Sequence, residues 1–436
     1  MLQTGLFNTV HKTSQNFIST VYRKMYNEEM SGDVKHFITN IGYVGVGIIV
    51  STFFSFMFNI LSGRIFGPTE YGKFVLVQSI AMFLQIPMLL GIPTAMVKYT
   101  SENKDIDRQR TVISTSYILV SICVFFFTII YYIYSKQISE IFSIAEESFK
   151  LAIIFAHLFI FSFITTNTLR GVNEIKKYSK IKSIYGLLQL LPLILFIYLT
   201  HISYTSIVYS ILISDALIGL LTFQSIKRYI RFKFELPWAK TLMNFSLFTA
   251  ISDISFVIYT NTDKLLINKY MLVENVGLYN AYFYSSINVI NIFAGIISIV
   301  LLPTISKYED KTPIFKRLDK FIPYLIVLGI PFTLVTEYVI LNIFGKDYPF
   351  NFLLAFLFGV TAVMSVWYLL YVSILTSMGI KGAKINFMST VIIAIVNIIL
   401  DIYLIPILGL NGAIIATTVG YCCGISAILI IRYRAL

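Results

Sequence analysis

The sequence predicts an all-α integral membrane protein with twelve transmembrane helices in two six-helix lobes. Three observations lead there: an apolar composition, a train of apolar segments of spanning length, and a one-sided distribution of basic residues. Of 436 residues, 57% are hydrophobic and 13% charged, and mean hydropathy is +0.79. A soluble domain carries about 25% charge, and one this apolar would expose aggregating patches. Soluble enzymes, nucleic-acid binders and disordered tails are excluded, despite the net charge of +12.

Residues 1–39 are polar but patterned. Phe7, Val10, Phe17, Val21 and Met25 recur at helical spacing with Lys12, Arg23 and Lys24 between them. They predict a cytoplasmic amphipathic helix on the membrane surface, with a loosely ordered tail as the alternative. No apolar core of a signal peptide is present there. A spanning helix needs about 20 apolar residues. Segments of that kind lie near 40–62, 74–97, 111–134, 149–169, 181–200 and 203–225, which form an N-lobe over 40–225. A basic linker, 226–242, follows. The C-lobe, 243–436, holds segments near 243–270, 278–302, 321–343, 351–375, 385–405 and 410–431. Cys123, Cys422 and Cys423 sit in apolar runs and read as packed free thiols. The histidines do not cluster, so no metal site is expected.

The 34 basic residues decide the orientation. Alternate loops and the segment ends beside them carry 27 of them, the other side carries six, and Lys264 alone falls well inside a segment. This is a strong positive-inside pattern. It puts both termini in the cytoplasm of a multi-pass protein of the cell membrane. The seventh segment is the least apolar, yet omitting it would break the alternation of every loop after it.

A faint duplication relates the halves. Pro93-Thr94 with Lys98-Tyr99 matches Pro303-Thr304 with Lys307-Tyr308. Glu70-Tyr71-Gly72 matches Asn275-Val276-Gly277, and Thr168 with Gly171 matches Thr376 with Gly379. The offset, 205 to 210 residues, spans six helices, so the repeats are parallel. Transporters built this way bind substrate between the halves and rock them in alternation.

The loop Phe66-Gly67-Pro68-Thr69-Glu70-Tyr71-Gly72, the run Asp263-Lys264-Leu265-Leu266-Ile267 with Glu274, Gly277 and Tyr279, and the stretch Ile405-Pro406, Gly409, Gly412-Ala413 and Ala416-Thr417 carry a resemblance. They resemble the multidrug/oligosaccharidyl-lipid/polysaccharide (MOP) exporter superfamily, which includes the MATE transporters, and within it the Wzx-type polysaccharide flippases. The resemblance implies two six-helix lobes around a central cavity. It also implies movement of a polyprenyl-diphosphate-linked oligosaccharide to the outer leaflet. Partners would be membrane lipids and a polysaccharide polymerase or glycosyltransferases, with no cofactor beyond a coupling proton or sodium ion. A MATE-like, cation-coupled antiporter of drugs or small solutes is the alternative. The longest external loop, about 135–148, is too small for the catalytic domain of a glycan polymerase, so no enzyme is expected.

Polar residues inside spans are costly unless they face protein or water. Thr52, Ser55, Asn59 and Ser62 share one face of the first helix, and Gln78 and Gln85 lie on the second. Ser246, Thr249, Asp253, Thr260 and Lys264 share a face of the seventh; Tyr284, Asn288, Asn291 and Ser298 share one of the eighth, with Gly295 between. In the resembling family these helices line the cavity. Helix–helix packing by small polar residues is the competing explanation. Asp263 flanks Lys264, the expected attractor for a diphosphate; local pairing or snorkelling is the alternative role for that lysine. Asp253 is the expected ion-coupling group, with Asp215 as another intramembrane acid and Glu337 and Asp401 read as interfacial. Pro87, Gly91 and Pro93 are expected to kink or break the second helix.

Overall fold

The polypeptide enters the membrane on a single bent helix. The computed structural model describes residues 32–103, 105–199, 203–231, 233–295, 305 and 310–435. The amphipathic segment expected over 1–39 lies outside these residues except for its last turns, as do Ser298, Pro303, Thr304, Lys307 and Tyr308. Helix α1 (Gly32–Leu89) holds the first two apolar segments as arms meeting at Gly67, with φ 75° and ψ 169°. Only glycine adopts that conformation readily, so the chain reverses there with almost no loop. Leu90 and Gly91, both at positive φ, then break the chain before α2 (Ile92–Ser101), as Pro93 at the start of that helix requires.

The remaining elements of the first half are α3 (Ile106–Ile133), the short α4 (Ser135–Ile141), α5 (Glu146–Gly171), α6 (Ile175–Leu199) and α7 (Tyr204–Ile226). Asp105 caps α3 by accepting from the Asp107 amide at 3.2 Å. A 3₁₀ turn (Lys227–Tyr229) leads into the linker and then α8 (Leu236–Tyr270). Next come α9 (Val273–Phe283), a π turn (Tyr284–Asn288), α10 (Thr312–Phe344), α11 (Phe352–Thr376), α12 (Ile380–Leu408) and α13 (Leu410–Ala435). Among the described residues ten helices are long and apolar enough to cross a membrane, the weakly apolar α8 included and the bent α1 counted once. The protein is thus an all-α, multi-pass membrane protein.

Packing follows sequence halves. Helix α1 lies against α5, α6 and α7, while α12 packs on α13 and α8, and α11 on α10 and α13. The halves meet chiefly where α1 crosses α8 and α9. Phe125, Tyr198, Leu328 and Tyr403 remain exposed, which in a bilayer is contact with lipid and not with water.

Candidate functional site: a central polar cavity

Between the halves lies a cavity of about 610 Å³, a size typical of small-molecule sites. Its walls come from three helices. The first arm of α1 contributes Ser51, Thr52, Ser55 and Phe56. The beginning of α6 contributes Tyr178, Lys182 and Tyr185, and the π turn with the helix after it contributes Tyr284, Asn288, Asn291 and Gly295.

The walls are held by specific hydrogen bonds. Gly186 N donates to Ser51 Oγ at 3.1 Å, and Ser55 Oγ donates to Gln189 Oε1 at 2.7 Å. These seat α6 tightly on α1; Gly186 has no Cβ, and a side chain there would collide with the Ser51 carbonyl. Across the cavity, Ser365 Oγ donates to Asn291 Oδ1 at 3.1 Å, which fixes one amide of that wall. The Lys182 ammonium lies 5.2 Å from the ring centre of Tyr185, a cation–π geometry. Lys182 is the one charged residue in the cavity lining among the described residues; behind the lining, buried Asp215 is hydrogen-bonded to Tyr185 and lies close enough to Lys182 to attract it. The cavity therefore presents phenol rings, hydroxyls, amides, the apolar side chains of Ile49, Phe56 and Ile292, and one lysine backed by Asp215.

The cavity occupies one end of the molecule. Residues 49–56 lie in the half of the first α1 arm that begins at the basic end, and 178–185 open α6 from the same end. At the opposite end the halves are sealed. Tyr71 Oη accepts from Asn280 Nδ2 of α9 at 2.7 Å and donates within α1 to Asn59 Oδ1 at 3.0 Å. Tyr348 Oη donates to Gly63 O at 3.0 Å, and Arg64 Nη1 donates to Ile343 O at 2.7 Å. Two glycines there each face the other's element. A side chain on Gly72 would overlap the Val273 carbonyl, and one on Gly277 would overlap that of Pro68.

Of the expected site residues, the cavity gathers Thr52, Ser55, Tyr284, Asn288 and Asn291. Asn59 sits deeper, donating to Ser55 O at 2.9 Å. Gln78 is half-buried outside the lining, and Gln85 is buried with its amide nitrogen 3.1 Å from Met82 Sδ. Asp253 is exposed. Eleven residues of α8, about 16 Å at the helical rise, separate it from Lys264. Thr260 bonds back to Phe256 O at 2.7 Å. Lys264 is only 8% exposed; it donates to Thr260 O at 3.0 Å and lies 5.2 Å from the Phe283 ring centre. Its ammonium is thus held inside α8 and α9 by a backbone carbonyl and a ring, and no ion pair of Lys264 with Asp263 or Asp253 occurs within 4.0 Å among the described residues. Asp263 is buried and accepts from the Lys264 amide at 2.8 Å.

Asp263 belongs to a second polar group, inside the C-terminal half. Tyr279 hydrogen-bonds both Asp263 and Thr417, and Asp401 lies close enough to Asp263 to repel it. Asn397 Nδ2 donates to Thr417 Oγ1 at 3.2 Å. Asp401 is fully buried, not interfacial, and neither carboxylate oxygen has a hydrogen-bond partner. Glu337 is fully buried too. Two neighbouring buried carboxylates cannot both carry unshared charge; the group can take up a proton or a small cation. In the N-terminal half, Asp215 is buried and accepts from Ser162 Oγ at 3.0 Å. No cluster of three or more His, Cys, Asp or Glu suited to a metal occurs among the described residues.

Comparison with known proteins bears on this geometry. Residues 60–349 match the family described as "Polysaccharide biosynthesis protein". An uncharacterised membrane protein of Methanocaldococcus jannaschii is 25% identical over 411 residues, covering 89% of this chain and 97% of that protein. Among solved structures, the inward-facing conformation of a multidrug resistance MATE family transporter of the MOP superfamily is similar, with TM-score 0.66 and 16% identity. That match covers 90% of this chain and 97% of the other. The lipid II flippase MurJ in an inward closed conformation matches with TM-score 0.59 and 20% identity, over 88% of this chain and 87% of its own.

Proposed function

Because the chain belongs to the polysaccharide biosynthesis protein family, we propose that it moves a lipid-linked oligosaccharide across the membrane by alternating access of two lobes. Its fold is that of the MOP-superfamily transporters, carriers and not enzymes. The observation that carries the reading is the charge of the cavity. Its lining holds one lysine and no acid among the described residues, and the acid nearest to it, Asp215, is buried behind the wall on Tyr185 and Ser162. Such a site favours an anionic head group and disfavours an organic cation. Lys182 would hold the diphosphate as a point charge. Tyr178, Tyr185 and Tyr284 offer flat faces for sugar rings, and Asn288 and Asn291 offer amides to sugar hydroxyls. The lipid tail stays in the bilayer, where transfer costs nothing. The cavity lies towards the basic end, the cytoplasmic side by the positive-inside rule. That is where a lipid-linked precursor would load.

Coupling to an ion gradient would fall on the Asp263–Asp401 group more readily than on the exposed Asp253. A cation or proton bound there would change how α8, α12 and α13 pack, which is a direct route to lobe movement.

A second reading is a cation-coupled antiporter of drugs or small solutes. It is favoured by the likeness to the multidrug MATE transporter, which has the higher TM-score of the two structures compared, and by Asp253, an exposed acid within a span. One experiment separates the two. Cells lacking the protein are extracted for lipids and challenged with cationic drugs. Accumulation of a lipid-linked oligosaccharide on the cytoplasmic leaflet supports flipping; unchanged lipid pools with raised drug sensitivity support the antiporter.

A further inference from the structure

We propose that the protein carries a binding site for an anionic membrane phospholipid on the outer flank of its N-terminal half, roofed by the linker between the halves. The site is a groove of about 460 Å³ lined by Ser114, Tyr117, Ile118, Ser121, Ile122 and Phe125 of α3, with Phe223 of α7 and Ile230 of the linker. It is separate from the central cavity and shares no residue with it.

Three features select the occupant. The first is length. From Ser114 to Phe125 the groove follows α3 for eleven residues, about 16 Å, which is roughly half the hydrocarbon thickness of a bilayer. It therefore fits the chains of one leaflet. The second is the lining, which is mostly apolar and ends on the exposed side chains of Ile122, Phe125 and Phe223. The third is charge. Ile230 meets the groove at its basic end, next to exposed Arg231, with exposed Lys227, Arg228 and Lys233 in the same linker. Arg110 lies one turn before Ser114 on the same face of α3. Asp107, Glu174 and Glu235 pair with members of this set, and the five basic residues outnumber these three acids. Basic residues at headgroup level above an apolar slot match an anionic head with its chains below.

The roof ties the lipid to the working parts. Arg231 N donates to Ser114 Oγ at 2.9 Å, Glu235 N donates to Thr115 Oγ1 at 3.3 Å, and Arg110 Nε donates to Arg228 O at 2.9 Å. The linker that must flex when the halves move is thus pinned to α3 directly over the groove. A lipid seated there would hold that pinning in place and favour the arrangement seen here.

The test uses the full chain purified in detergent and given phosphatidylglycerol or phosphatidylcholine. Native mass spectrometry counts retained lipid, and thermal unfolding reads stabilisation. Phosphatidylglycerol should be retained several-fold more than phosphatidylcholine and should raise the melting temperature. Both effects should fall several-fold in Lys227→Gln/Arg231→Gln and in the groove-filling Ser121→Trp. The Trp variant, whose folding is checked by its unfolding profile without added lipid, leaves the linker bonds intact. Equal retention of the two lipids, or unchanged retention in the variants, would overturn the proposal. So would displacement of phosphatidylglycerol by undecaprenyl phosphate at equal concentration, since the groove would then be a substrate-lipid site.

Discussion

Asn280 donates its side-chain amide to the phenol oxygen of Tyr71 at 2.7 Å, joining the bend of α1 to α9 at the closed end of the molecule. Tyr71 passes the bond on to Asn59, so one buried phenol links both halves to the floor of the cavity. This end must part if the halves alternate, and its bonds set the balance between the two states.

Removing the Tyr71 hydroxyl should move that balance. Two buried hydrogen bonds are worth about 1–2 kcal/mol net, or a shift of about 5- to 30-fold in the population ratio. Tyr71→Phe should raise the labelling rate of a cysteine placed at Ser62 in a background lacking Cys123, Cys422 and Cys423. Gly277→Ala should do so more strongly, because its methyl group meets the Pro68 carbonyl only when this end is shut. Unchanged labelling in both would mean that these contacts do not gate the closed end.

Lys182 should determine affinity for an anionic substrate. A charge-assisted bond contributes about 1.5–3 kcal/mol, so Lys182→Gln should raise KM roughly 10- to 100-fold in proteoliposomes with a lipid-linked oligosaccharide, and Lys182→Arg should restore much of the loss. If the substrate is an organic cation, Lys182→Gln would instead lower KM.

Lys264 should behave differently. Its ammonium is spent on Thr260 O and the Phe283 ring, and its removal leaves buried Asp263 without its nearest positive charge. Lys264→Met should reduce the amount of folded protein, measured by detergent-stable monodisperse yield, while the surviving protein keeps its KM. A changed KM at normal yield would restore Lys264 to substrate binding.

The Asp263–Asp401 group should carry the coupling. Asp401→Asn should fold and bind substrate, because the present carboxylate makes no hydrogen bond that the amide would lose. Uptake into proteoliposomes under an imposed pH or sodium gradient should then no longer follow the gradient. Retained gradient dependence in Asp401→Asn would point to Asp215 or Asp253.

The spanning helices were legible because crossing a bilayer demands one length and one composition, but their starts were not: α1, α6, α8 and α10 begin six to nine residues before the apolar segments. Of the polar stripes on the first and eighth helices, Thr52, Ser55, Tyr284, Asn288 and Asn291 share one cavity wall region, while Asn59 and Ser62 lie outside its lining. Lys182 escaped because loop counting assigns every basic residue beside an apolar segment to the surface. The α6 helix starts at Ile175, six residues before the apolar run at 181, so Lys182 lies two turns inside it. Asp401 escaped for a related reason. It stands near a span end in the sequence, but its burial comes from α8, α9 and α13, and no local pattern records those neighbours.

The bend at Gly67 has a practical side. Because the two arms of α1 meet without a loop, this corner offers no slack for an inserted epitope, a protease or a glycosylation sequon. Topology reporters placed there would unfold the closed end and report a false orientation.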